Sequence, residues 1–144
     1  MENENKYLTR LVNEWNQHGK IIIGVDFDST IRAYHSIDNP EDVKRCIKLL
    51  QEAQLVGCYT IIHTACNADR HEEILGYCKD IGIHVDTINE TPIGLEYGKK
   101  GSKPYCNLFL DDRAGFREAM TLLEEAIYRQ RSYRRSQIHL DEIG

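Results

Sequence analysis

Five apolar residues, Ile21-Ile22-Ile23-Gly24-Val25, run straight into Asp26-Phe27-Asp28-Ser29-Thr30, and few folds accommodate that arrangement. An apolar run rich in β-branched residues and without polar alternation reads as a strand buried on both faces. A carboxylate at the end of such a strand is costly unless something offsets its charge. The run therefore asks for cover on both faces of a sheet and for a counter-charge at one rim.

The flanking sequence supplies the cover. Leu8, Leu11, Val12 and Trp15 fall at helical spacing, and His18-Gly19 ends that segment. After the acidic turn, Asn39-Pro40-Glu41-Asp42 reads as an N-cap, a first-turn proline and first-turn acids. Val43, Cys46, Ile47 and Leu50 then give one apolar helix face, and Cys58 to His63 forms a second strand ending at Thr64. Asn67 or Asp69 is placed to cap a third helix, with Ile74, Leu75, Cys78 and Ile81 inward and Gly82 closing it. Ile83-His84-Val85 reads as a third strand, residues 90–103 as loop, and Leu108-Phe109-Leu110 as a fourth strand ending in Asp111-Asp112. A final helix carries Phe116, Met120, Leu123 and Ile127 on one side. The order helix, strand, helix, strand, helix, strand, loop, strand, helix implies crossover units. The expected fold is α/β, a Rossmann-like three-layer architecture with a central parallel sheet and helices on both faces.

In such sheets ligands bind beyond the carboxyl ends of the strands. Asp26, Asp28, Thr64, Asp111 and Asp112 are the polar residues that interrupt the strands at those ends. If the first and fourth strands are neighbours, three or four carboxylates converge, and their mutual repulsion calls for a cation. With no His or Cys in the group, a hard ion such as Mg²⁺ suits it better than zinc. A carboxylate nucleophile attacking phosphorus, with a second carboxylate passing a proton, is chemistry this set permits. A lysine and a hydroxyl would complete a clamp for the phosphoryl oxygens.

As an ordered set these segments resemble the four motifs of haloacid-dehalogenase-like (HAD) hydrolases, over about residues 20 to 125. Asp26-Phe27-Asp28-Ser29-Thr30 resembles the first motif, Thr64 the second, Lys103 the third and Asp111-Asp112 the fourth; the stretch from Lys103 to Arg113 is similar to small phage and bacterial members. The resemblance implies a Mg²⁺-dependent phosphatase (phosphomonoester hydrolase) acting through an aspartyl-phosphate intermediate. Asp26 would be nucleophile and Asp28 general acid and base. Thr64 would bond the phosphoryl group, and Lys103 would stabilise nucleophile and phosphate, with Lys99 and Lys100 as rival lysines. Mg²⁺ would sit on the Asp26 carboxylate, the Asp28 backbone carbonyl, and Asp111 or Asp112. Two positions depart from the pattern. Ser29 stands where glycine is frequent, and Ala65-Cys66-Asn67 follows Thr64 where small relatives often place an arginine two residues on. The gaps after the first and second motifs leave no room for a cap domain, so an open site is expected.

The chain is expected to be one domain over its 144 residues, with an N-terminal helix in 1–19, a catalytic core in 20–127, and a helix end and tail in 128–144. Arg32, His35, Asn67 and Arg70 are candidate substrate contacts. The leading substrates are nucleotides or other phosphorylated metabolites. An alternative is a phosphatase of nucleic-acid ends, in which Arg129, Arg131, Arg134 and Arg135, interleaved with Tyr128 and Tyr133, would grip a polyphosphate backbone. The net charge of -5 weighs against nucleic acid and favours a solvated helix or a subunit contact, so a homo-oligomer stays open. A second alternative is a non-catalytic phosphate-ligand binder on the same fold. Cys46, Cys58, Cys66, Cys78 and Cys106 are scattered with no C-x-x-C pair, which points to reduced thiols rather than a disulfide framework or a zinc site. No apolar run approaches the ~20 residues of a membrane span. Residues 1–10 are polar rather than signal-like, so a cytoplasmic protein is expected.

Overall fold

The computed structural model describes residues 5–33, 38–92 and 105–143. Helix α1, Lys6–His18, starts where the Asn5 side chain accepts the N–H groups of Tyr7 and Leu8, and ends at Gly19 in the left-handed region. Strand β1, Ile21–Asp26, follows. Helix α2, Pro40–Val56, opens as the sequence indicates: Asn39 accepts from the Glu41 N–H at 2.9 Å, and Pro40 occupies the first turn. Strand β2, Cys58–His63, leads through a 3₁₀ turn, Ala68–Arg70, into helix α3, His71–Asp80. Strand β3, Thr87–Ile88, and strand β4, Leu108–Leu110, precede the long helix α4, Phe116–Ile143.

The four strands form one all-parallel sheet in the order β3-β2-β1-β4, flanked by helices in a Rossmann-like α/β arrangement. Ile21, Ile23 and Val25 share one apolar cluster with residues of all four helices, among them Leu11 and Trp15, Leu50 and Ala53, Ile74 and Cys78, and Met120 and Leu123. Ile22 and Ile61 are equally buried but outside that cluster, as strand alternation requires of the opposite face. Burial on both faces is why β1 contains no polar residue before Asp26. Among the described residues no helix is long and apolar enough to cross a membrane.

Three expectations need correction. The third strand is not Ile83–Val85 but Thr87–Ile88. Gly82 closes α3 in a Schellman motif, with Ile83 N–H on the Cys78 carbonyl and Gly82 N–H on the Lys79 carbonyl. Ile83 is then spent in the core. The Gln54 side chain takes both backbone groups of His84, and Asp86 Oδ2 accepts the Thr60 N–H at 2.7 Å. Side-chain bonds, with one backbone bond from the Asp86 N–H to the Thr60 carbonyl, thus hold this stretch to its neighbours until the strand begins at residue 87. Within α3, Leu75 faces solvent rather than inward, and neither Asn67 nor Asp69 caps the helix, because the 3₁₀ turn runs directly into it. Residues 128–143, expected as a helix end and tail, continue α4 to Ile143. Nothing after Gly115 breaks a helix, and Arg134 Nη2 donates to the Gly19 carbonyl at 2.7 Å, fastening α4 to the end of α1.

Candidate functional site

The sheet order decides where a site can form. From β1 the chain moves outward through β2 to β3, then returns to the other side of β1 as β4. The crevice between β1 and β4 is thus the topological switch point of the sheet, where open α/β folds bind ligands. The register Val25↔Leu110 brings the two strand ends level, so Asp26 meets Asp111-Asp112. One carboxylate oxygen from each of Asp26, Asp111 and Asp112 lies within 4.8 Å of the others. A cavity of about 620 Å³ opens over them, lined also by Asp28, Thr64 and Cys66.

Partial burial pushes the Asp26 carboxyl up to about 6, helped by the charges of Asp111 and Asp112 and opposed by a bond from Thr30. Thr30, fully buried, is the hinge of the cluster. Its hydroxyl lies 3.3 Å from both Asp26 Oδ2 and Asp112 Oδ1, and it accepts the Asp112 N–H at 3.2 Å. A single hydroxyl proton serves only one of the two carboxylates at a time. Asp111 Oδ1 accepts the Arg113 N–H, which fixes the turn into α4.

Asp28 stands apart from the three. Its carboxylate faces Arg32, at 3.0 Å, and lines the cavity without joining the cluster. The chain turns sharply just after it at Ser29, which adopts φ 68°, with its N–H on the Arg32 carbonyl. A residue with a Cβ is uncommon there, and the strain is on the order of 1 kcal/mol. Ser29 therefore makes the turn for which glycine would be unstrained.

Thr64 is held at the end of β2 by Asn89, whose side chain accepts the Thr64 N–H at 3.0 Å and donates to the Thr64 carbonyl at 2.9 Å. The Thr64 hydroxyl lies 3.1 Å from Cys66 Sγ and accepts the Cys66 N–H. His63, beside Asp26 in register, packs edge-on to Phe109 at 4.8 Å. Its Nε2 is buried with no hydrogen-bond partner among the described residues. Burial lowers its pKa, against the opposing charge of Asp111.

Of the expected substrate contacts, Arg32, Asn67 and Arg70 do not line the cavity. Arg32 binds Asp28 and Glu73, and Arg70 binds Glu73 at 3.5 Å. Asn67 begins the 3₁₀ turn without a side-chain capping bond. His35 and Lys103 lie outside the described residues, as do Lys99 and Lys100. Sequence reasoning gave no role to Thr30, Asn89 or Glu73. Thr30 alone had a signal, its place inside the acidic motif; Asn89 and Glu73 act through pairing between distant segments.

The donor set is three carboxylates with a hydroxyl between them, all hard oxygen, and it fits a small divalent cation such as Mg²⁺. Compared with protein-family models, curated proteins and solved structures, the chain matches none.

Proposed function

We propose that this protein is a Mg²⁺-dependent phosphomonoesterase of the HAD-like type, with Asp26 as nucleophile and phosphorylated metabolites, nucleotides included, as substrates. One observation carries the reading: Asp26 converges with Asp111 and Asp112 across two adjacent strands at the switch point of a parallel sheet. Three acids this close gain nothing structurally from one another, and burial, with the charges of Asp111 and Asp112 behind it, pushes Asp26 up. Asp26, Asp111 and Asp112 would hold the ion, with the Asp28 backbone carbonyl as the resemblance implies. When bound, Mg²⁺ offsets the charge of the acids and of the phosphoryl oxygens.

The remaining chemistry belongs to side chains of the chain. Asp26 is half-exposed at the cavity floor, open to a phosphorus atom above it. Thr30 limits its rotation by holding one carboxylate oxygen. Asp28, turned away from the cluster and toward the cavity, is placed to exchange a proton with the leaving group. The Thr64 hydroxyl, anchored through its backbone by Asn89, can turn its proton from Cys66 to a phosphoryl oxygen. Lys103 completes the proposed set. The short connections after β1 and β2 favour an open site that takes its substrates without a cap.

The decisive measurement is Mg²⁺-dependent release of phosphate from p-nitrophenyl phosphate and from nucleoside monophosphates. Asp26→Asn should lower kcat by about a thousandfold or more, since it removes the nucleophile. A wild-type protein that turns over no phosphate ester with Mg²⁺ present would overturn the reading.

A further inference from the structure

Behind Asp28 lies a network whose charged side chains meet the cavity through that residue. Arg32 Nη2 meets Asp28 Oδ1 at 3.0 Å, and Arg32 Nη1 meets Glu73 Oε1 at 3.0 Å. Arg70 Nη2 reaches the same Glu73 oxygen at 3.5 Å. The guanidinium lies 4.7 Å from the Phe27 ring and 5.9 Å from the Tyr77 ring, and the two rings meet edge to face at 5.6 Å. Tyr77 donates to the Ile31 carbonyl at 2.9 Å, and the Arg32 carbonyl accepts the Ser29 N–H at 2.8 Å. Arg32 is thus fixed by charge, by stacking and by its own backbone. Its side chain is 22% exposed against 36% for Asp28, and only Asp28 lines the cavity.

We propose that Arg32, anchored by Glu73 of α3, is a positioning residue that aims Asp28 at the leaving oxygen of alcohol phosphomonoesters; the proposal rests on the phosphatase reading above. Arg32 occupies Oδ1 and leaves Oδ2 to exchange the proton. In the first half-reaction an Asp26 oxygen bonds to phosphorus, the bond from phosphorus to the ester oxygen breaks, and the proton on Asp28 passes to that oxygen to release the alcohol. In the second, water bonds to phosphorus, its proton passes to Asp28, and the bond from Asp26 to phosphorus breaks to release phosphate. An alkoxide is a poor leaving group and needs that proton, whereas nitrophenolate leaves without it. A carboxylate held at one oxygen by a fixed guanidinium keeps the other within reach of the bond that breaks.

The test is steady-state kinetics with Mg²⁺ on a nucleoside 5′-monophosphate and on p-nitrophenyl phosphate, for Arg32→Leu, Arg32→Lys and Glu73→Gln, each in the wild-type and Asp28→Asn backgrounds. Arg32→Leu should lower kcat on the nucleotide by about tenfold or more with little change in KM, and by less than about threefold on the aryl ester, as loss of general-acid aid implies. It should cost nothing further once Asp28 is Asn, because it acts through Asp28. Arg32→Lys should recover part of the loss. Glu73→Gln, which leaves the aromatic stack in place, should show the same pattern more weakly and carries the test if Arg32→Leu does not fold. Equal losses on both substrates, a rise in KM alone, or an additive loss in the Asp28→Asn background would make Arg32 a substrate contact and overturn the proposal. So would wild-type turnover of the aryl ester but of no alkyl phosphate. Absence of turnover on both substrates would remove the phosphatase reading, and this proposal with it.

Discussion

Asp26 shows how much a single residue discloses through its neighbours in the chain alone. Its place after five apolar residues marks it as a charge with a purpose, and Asp28, Thr64, Asp111 and Asp112 were legible for the same reason, at strand ends. Thr30 and Asn89 were not, because a hydroxyl or an amide acquires meaning only from its partners, here Asp112 and Thr64. The Asp26 pKa yields a prediction with a definite sign. Its carboxyl is raised from the ordinary 3.8 to about 6 in the folded protein, chiefly by burial and then by Asp111 and Asp112. The folded state therefore binds this proton more tightly than the unfolded state, and the metal-free protein loses stability as pH rises through that window. A cation on the cluster removes the penalty. Mg²⁺ should accordingly raise the melting temperature little near pH 4.5 and clearly at pH 7, and Asp26→Asn should flatten the metal-free pH dependence between those values. Thermal unfolding with and without Mg²⁺ decides it; an equal shift at both pH values would show that the ion binds elsewhere.

Among the elements, those with strong periodicity or caps were readable, and those held by side chains from elsewhere were not. The faces of α1, α2 and α4 and the runs of β1, β2 and β4 follow from local sequence, while β3 depends on Gln54 and Asp86, which no window around residues 83–88 relates to their targets on His84 and Thr60. Gly24 gives the element-scale prediction. It is paired with Ile61 on one side and Phe109 on the other, in the middle of β1. A Cβ there would lie 2.7 Å from Phe109 Cδ2 and 3.1 Å from His63 Nε2. The missing side chain is what lets the Phe109 ring lean across β1 to meet His63. Gly24→Ala should therefore destabilise the protein by about 1–3 kcal/mol, the usual cost of overpacking. Phe109→Leu in the same chain should return part of that loss, because the clash is with the ring. Denaturant unfolding of the two single variants and the double variant measures the coupling, and a neutral Gly24→Ala would refute the packing account.

At the scale of the whole molecule, an alternation of helices and strands could be read from the sequence, but the order of the strands could not. That order, β3-β2-β1-β4, is what carries Asp111 and Asp112 across 85 and 86 positions to Asp26, with β1 as the shared neighbour. The return from β3 to the far side of β1 is a global packing choice, and no local propensity encodes it. The same limit applies to α4, whose arginines looked like a separate basic segment. Arg134 instead satisfies the carbonyl of Gly19 at the end of α1, and Gln130 is buried, so the helix belongs to the domain at least that far. Beyond it, residues 136–142 are exposed throughout. Truncation after Ser136 should then leave stability within about 0.5 kcal/mol, as for surface changes generally. Truncation after Tyr133, which also removes Arg134, should cost about 1 kcal/mol or more through the lost bond to Gly19. Arg134→Ala in the full chain should reproduce most of that cost, which separates the single bond from the rest of the helix end. If the shorter truncation destabilised the protein as much as the longer one, and did so only at high protein concentration, the outer turns of α4 would be packing against a second copy, and the domain would end at a partner rather than at Arg134.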